Sequence, residues 1–236
     1  MSISILNSSN KRNISFCLKK LLSEELVILV ITDVIDFKNI ENFWQRFKGV
    51  KTSPRAKFKT APQYGINIVD FSKQKDDYFR LLDNEKKKLD FLLNSKLDPI
   101  KLISELFREN KINKLKEHGN EYAQYMIRFS KSIKTHQDNY LKTNPDWKVS
   151  RFGDSILSWN LFLNMPSGGA LVVKHNDQFY RYTPSINDLV IFKPSLAHTV
   201  EDTIDSTEYS SKSFRQYRIA VTGLFGIKEE NIHLFN

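Results

Sequence analysis

Three residues of this chain could hold a metal ion. His136 and Asp138 stand as His-x-Asp within Thr135-His136-Gln137-Asp138-Asn139, and His198 follows about 60 residues later. Two imidazoles and one carboxylate are the donors expected of a mononuclear non-haem Fe(II) centre that keeps coordination positions open. In an extended strand alternate side chains share a face, so His136 and Asp138 can reach one metal while Gln137 points away. His198 must then arrive from a strand lying alongside, which a folded-back sheet supplies. Alone, His-x-Asp is a weak signal: in a chain with 5 His and 27 acidic residues a chance surface pair explains it equally well.

Positioning such a centre requires strands, and the second half of the chain reads as strands. Tyr122–Phe129 leads towards His136, and Ser155–Asn164 follows it. Pro166-Ser167-Gly168-Gly169 is a turn before a strand over Ala170–Lys174. Then come Phe179–Tyr182, a Pro184–Asp188 turn, Leu189–Lys193 and Arg218–Gly226. Many short strands with turn signals between them mean a sandwich or barrel.

The first half has another texture. Residues 1 to about 15 are polar and Ser/Asn-rich, a loose arm or first turn. Glu25–Ile31 is a buried strand by composition, and Asp36 can cap a helix through Ile40, Phe43, Trp44 and Phe47 that ends at Gly49. Residues 50–65, with Pro54 and Pro62, read as a loop that could form a mobile flap, and Ile66–Phe71 as a short strand. From Asp76 to about Lys116 the spacing of Phe79, Leu82, Leu89, Phe91, Leu92 and Leu93 is helical. Asp98-Pro99 is a helix start, continued by Ile100, Ile103, Leu106 and Phe107. The expected fold is α+β: a supporting strand and helical layer over 1–121 and a β core over 122–236, integrated as one domain.

Composition bounds the function classes. At 236 residues and 40% hydrophobic the chain can bury a sizeable core. Its single cysteine, Cys17, excludes a disulfide framework and thiolate clusters; it reads as an ordinary packed thiol and fits a reducing, cytoplasmic setting. The net charge of +9 raises the question of nucleic acid, but the basic residues are scattered, as at Lys86-Lys87-Lys88, without interleaved aromatics; a solvated face is the better reading. Leu26–Ile35 is far short of the ~20 apolar residues that span a bilayer, and no signal peptide is expected. Of the other histidines, His118 reads as a loop residue and His233 as remote from any site. His175, before the turn signal Asn176-Asp177, reads as solvent-facing.

Six segments in order, Thr135-to-Asn139, Ser158-to-Asn164, Ser167-to-Leu171, Asn187-to-Phe192, Leu196-to-Val200 and Tyr217-to-Gly223, resemble the Fe(II)/2-oxoglutarate-dependent dioxygenases, especially their prolyl-hydroxylase-like branch. The resemblance covers roughly residues 122–227. It implies a double-stranded β-helix, or jelly roll, with His136, Asp138 and His198 holding Fe(II) at one mouth. It also implies 2-oxoglutarate chelating that iron, a position left for O2, and oxidative decarboxylation to succinate and CO2 coupled to hydroxylation of an unactivated C–H bond. The carboxylate of Asp138 argues for hydroxylation or desaturation over halogenation.

The far carboxylate of 2-oxoglutarate then needs a cation. Arg218 offers a planar, permanently charged fork for it, and Arg215 is the competitor. By alternation Thr222 shares the face of Arg218 and could add a hydroxyl; on the preceding strand Ser158, Asn160 and Phe162 should face inward, with Ser158 or Asn160 lining the cosubstrate pocket. Relatives often carry a tyrosine where Phe162 stands. The interval Glu201–Phe214 is longer than the family usually shows and reads as a loop beside the site entrance. No second arginine follows Arg218 on its strand, which argues against a nucleic-acid substrate. A small molecule, such as a free amino acid or biosynthetic intermediate, suits the compact chain, and Arg80, Arg128 and Arg151 offer cations for an anionic one. The alternatives are a peptide or protein side chain as substrate, or a cupin-like metal-binding sensor without oxygenase activity. Oligomeric state is not indicated.

Overall fold

A parallel pair of strands joined by a helix opens the chain in the computed structural model, which describes residues 2–47, 52–57, 62–66, 69–71, 79–81, 99–115, 125–130, 133–138, 148–203, 218–229 and 231–235. Strand β1 (Ile3–Asn7) pairs with β2 (Ile28–Thr32) across helix α1 (Lys11–Leu22). Ile14, Cys17, Leu18 and Leu21 recur at helical spacing and are the buried face of α1. The expected loose arm over 1–15 is therefore a strand and the first turn of a helix. Asn7, Ser9, Asn10, Arg12 and Asn13 are exposed there, while Ile14 is fully buried. β2 is apolar almost throughout because it is flanked on both edges, by β1 and by β13 (Leu189–Phe192), and covered on both faces.

Helix α2 (Phe37–Phe47) follows, close to the expected bounds. The segment expected as a loop over 50–65 contains an antiparallel pair instead, β3 (Thr52–Lys57) with β4 (Pro62–Ile66). Its prolines fit: β3 is an outer strand of its sheet and Pro62 is the first residue of β4, both positions where a missing N–H is tolerated. β5 (Val69–Phe71) pairs with β6 (Phe79–Leu81), so Phe79 is on a strand and not on the expected helix. Pro99 opens helix α3 (Pro99–Leu106) at the position where proline is best placed. Beyond it, β7 (Ile112–Leu115) is again a strand where helical continuation was expected, held by parallel pairing with β16 (Asn231–Phe235) at the other end of the sequence. Leu82, Leu89, Phe91, Leu92 and Leu93 lie outside the described residues.

The remaining strands are β8 (Tyr125–Ser130), β9 (Ile133–His136), β10 (Ile156–Asn164), β11 (Leu171–His175), β12 (Gln178–Tyr182), β14 (Ala197–Val200) and β15 (Arg218–Lys228), with a 3-10 segment over Lys148–Ser155. Their pairing makes two main sheets. The large one runs β1-β2-β13-β10-β15-β8-β4-β3, with β16 joined to β15 and β7; the small one runs β12-β11-β14-β9. From β8 to β15 the chain passes back and forth between the two sheets, so neighbours in space are distant in sequence. The result is mostly β-sheet with few helices among the described residues, consistent with a jelly roll. Strands from both halves of the chain share the large sheet.

Alternation along β10 and β15 divides the core in two. Leu157, Trp159, Leu161, Leu163, Ile219, Val221 and Phe225 pack with α1, α3 and Phe107 on one face. Phe162, Val190, Phe192 and Ala220 face the other way and pack with Val173, Leu171, Val200 and Ile133 of the small sheet. The site belongs to this second face. Among the described residues no helix is long and apolar enough to cross a membrane.

Candidate metal centre

His136 is the last residue of β9 and lies directly opposite His198 on β14, with ring centroids 4.2 Å apart. Strand pairing has thus brought together two histidines that are far apart in sequence. Asp138 is not on the strand; it sits two residues past its end, where its backbone N–H donates to the carbonyl of Pro194 at 2.9 Å. The expectation that His136 and Asp138 share the face of one extended strand is therefore corrected. Asp138 is instead held against the β13–β14 connection by this backbone bond, outside the strand that carries His136.

The outcome is nevertheless convergence. One donor atom from each of His136, Asp138 and His198 lies within 4.8 Å of the others, and His136 Nε2 is 3.8 Å from Asp138 Oδ1. Each histidine has its Nδ1 2.8 Å from the carbonyl two residues earlier, Lys134 for His136 and Leu196 for His198. An Nδ1–H donated to a carbonyl fixes the ring and the tautomer, and leaves the Nε2 lone pair to face a metal. Phe192 packs edge-on against His198 at 4.9 Å, and only 6% of His198 is exposed. The three donors are therefore two imidazole nitrogens and a carboxylate oxygen beside the Phe192 ring, a set that fits Fe(II) with positions left open.

Arg218 opens β15 and is 96% buried (4% exposed), its side chain on the face shared by Ala220 and Thr222. Its guanidinium carbon lies 5.5 Å from the centre of the Phe162 ring, within cation–π range. Gly169 lies beside Arg218. That residue has φ +68°, and a side chain there would meet Thr203 Cγ2 at 3.0 Å and Arg218 Cδ at 4.0 Å. Along β10, Ser158 is paired with Leu224 and Phe192, Asn160 with Thr222 and Val190, and Phe162 with Ala220. Cross-strand partners share a face, so Ser158, Asn160 and Thr222 all lie on the inner face with Arg218. Thr222 is buried; Ser158 and Asn160 are half-buried.

His175 departs from expectation. The turn after it is real, since Asn176 and Asp177 have φ +47° and +59°, the two left-handed residues of a tight hairpin. But His175 is the last residue of β11, on the face of Leu171 and Val173, only 6% exposed and 3.5 Å from Glu24. It is buried beside the Glu24 carboxylate, not solvent-facing. His233 lies on β16 against Phe152, at 4.9 Å, outside the cluster of donors. Burial, and then the charge of Lys228, lowers its pKa. Arg151 is exposed, whereas Arg80 and Arg128 are on β6 and β8. His118, Arg215 and the stretch 204–217 lie outside the described residues; the part of the expected 201–214 loop that is described ends at Thr203, bridged to Gly168. Sequence reasoning passed over Glu24, Lys193, Pro194 and Gly169. Their roles depend on neighbours remote in sequence, and only the Gly-Gly pair carried a local signal.

The sequence matches no protein-family model and no curated protein. Solved structures do resemble it. An oxidoreductase of the 2OG-Fe(II) oxygenase family from Burkholderia pseudomallei superposes with a TM-score of 0.57 at 11% identity, covering 95% of this chain and 94% of that one. An N-substituted L-amino acid dioxygenase from Burkholderia ambifaria AMMD gives 0.53 at 12% identity, over 94% and 91%. A prolyl-4-hydroxylase from Pseudomonas putida gives 0.50 at 12% identity, over 91% and 99%. Across nearly its whole length this chain has the fold of the 2OG-Fe(II) oxygenases.

Proposed function

We propose that this chain is an Fe(II)- and 2-oxoglutarate-dependent dioxygenase that hydroxylates an unactivated C–H bond of a small molecule, such as a free amino acid or a biosynthetic intermediate. The observation that carries this is the meeting of His136, Asp138 and His198 on one side of an inner face that also buries Arg218. On this reading β8 to β15 are the eight strands of a double-stranded β-helix. Iron with bound 2-oxoglutarate and O2 would supply oxidative decarboxylation to succinate and CO2, coupled to transfer of an oxygen atom.

The chain's own part is positioning. His136, Asp138 and His198 fix the metal and leave positions for the keto-acid. Arg218 pairs with the far carboxylate of 2-oxoglutarate, where a buried guanidinium binds more strongly than it would in water. Thr222 and Asn160, neighbours across the strands, and Ser158 line the same wall. The apolar surround of Phe162 and Phe192 limits water at the reacting end. A cupin-like metal sensor would have no use for a buried arginine on this face. The dispersed basic residues and single buried thiol fit a cytoplasmic enzyme of small molecules better than a nucleic-acid enzyme.

Prolyl or other peptide side chains are the second reading of the substrate, favoured by the likeness to a prolyl-4-hydroxylase. The test begins without substrate. Anaerobic protein titrated with Fe(II) and then 2-oxoglutarate should develop the visible charge-transfer band of the chelate, saturating near one iron per chain. Iron bound without that band would point to the metal sensor. Succinate formation in a panel of free and N-substituted amino acids set against proline-containing peptides would then separate the two substrate readings.

A further inference from the structure

We propose that Glu24 is a positioning residue for the metal centre, acting through Lys193 and the turn that follows it; the inference rests on the metal site proposed above. Glu24 lies just past the end of α1, far from the three donors in sequence, with φ +60°. A left-handed position ending a helix is ordinarily filled by glycine or asparagine. A glutamate in that strained position points to a task for its side chain.

That task is visible in its contacts. Glu24 Oε1 accepts from Lys193 Nζ at 2.6 Å, and Oε2 faces His175 Nδ1 at 3.5 Å. Lys193 is only 7% exposed, and among the described residues its other hydrogen bond is a long one to the Leu22 carbonyl at 3.5 Å. A buried ammonium is held in place by its carboxylate partner, so Glu24 fixes the position of Lys193.

Lys193 begins the turn that serves two of the three donors. Its carbonyl accepts from Leu196 N–H at 3.2 Å, closing the turn. Within that turn, the Pro194 carbonyl accepts from Asp138 N–H at 2.9 Å, and the Leu196 carbonyl lies 2.8 Å from His198 Nδ1. The chain of support therefore runs from Glu24 through Lys193 to Asp138 on one branch and His198 on the other. His136, braced by Lys134, is outside it. Partners that orient metal ligands typically change metal affinity about 10–100-fold when lost. Because Glu24 acts one step further out, a loss of about tenfold is expected.

The test uses Co(II), whose ligand-field bands report affinity and geometry without turnover. Wild type, Glu24→Gln and the double variant Glu24→Gln/Lys193→Met are titrated as purified apo-protein, with thermal midpoints recorded alongside. The double variant leaves no unpaired buried charge, so it carries the test should Glu24→Gln fail to fold. About tenfold weaker Co(II) binding with altered bands, in a variant whose thermal midpoint is close to wild type, supports the tether. Folded variants that bind within threefold of wild type, with the same bands, overturn it. If wild type itself binds no Co(II), the metal reading has failed. The tether is then decided by amide exchange at Asp138, which should quicken in the variants, and unchanged exchange overturns it.

Discussion

His136 and His198 sit opposite one another on β9 and β14, and each is braced by the carbonyl two residues before it. The His136 ring is therefore oriented by its own strand and the His198 ring by the turn that leads into β14. Asp138 is held differently, through its own backbone N–H. A preformed donor set loses little freedom on binding, and each member removed subtracts a whole ligand.

Replacing any one of His136, Asp138 and His198 by alanine should abolish stoichiometric Fe(II) binding and turnover. Asp138→Ala is the sharpest case, because Pro194 binds its main chain and the fold need not change. Iron content after anaerobic reconstitution, together with thermal midpoint, checks this; full activity in Asp138→Ala would sink the assignment.

Arg218→Ala should leave Fe(II) binding near wild type and raise the 2-oxoglutarate concentration needed for half-maximal absorbance by about two orders of magnitude, as loss of a buried charge-assisted pair implies. Thr222→Val should raise it by about tenfold or less, in keeping with a single hydroxyl hydrogen bond. Gly169→Val should lower the urea midpoint, since a side chain at φ +68° is strained and its Cβ would meet Thr203 Cγ2 at 3.0 Å. A normal 2-oxoglutarate requirement in Arg218→Ala would transfer the role to Arg215.

Asn187 supports the sheet and not the site. It sits at φ +76° with Oδ1 accepting from Ile35 N–H at 2.8 Å and Nδ2 donating to the Ile35 carbonyl at 2.7 Å. Asn187→Gly keeps the left-handed backbone accessible but leaves both buried partners unmet, at a cost of about 2 kcal/mol. Urea unfolding should show the midpoint falling with the slope unchanged, while metal binding persists.

His233 should make stability depend on pH. Its folded pKa is depressed, by burial first and by Lys228 second. The unfolded state therefore takes up the proton first as pH falls, so stability is retained above about pH 6.5 and declines below it until the folded form also protonates. Urea midpoints at pH 7.5 and 5.0 should differ more in wild type than in His233→Leu; equal differences would exclude His233 as the cause.

Much of the second half was legible because local pattern and final structure agree there. Short β-branched runs between turn residues became β10, β11, β13 and β15, and alternation correctly set Ser158, Asn160 and Phe162 against Trp159 and Leu161. Elsewhere a remote partner decided. Ile112–Leu115 is a strand because β16 lies beside it, and Phe79 because β5 does. His175 stands next to a true turn, yet β11 carries its side chain inward to Glu24, which no local signal reveals. α1 was legible and overlooked: Ile14, Cys17, Leu18 and Leu21 already have helical spacing amid polar neighbours.

The strict two-faced packing of β15 also bears on how such an enzyme can change over evolutionary time. Deleting one residue between Arg218 and Phe225 would turn part of the strand over, burying polar groups among leucines and carrying apolar ones onto the inner face. Length changes inside this strand are therefore lethal to fold and chemistry together. New substrate preferences must arise by point substitution along that face or by growth of the connections outside it, such as the segment between β14 and β15.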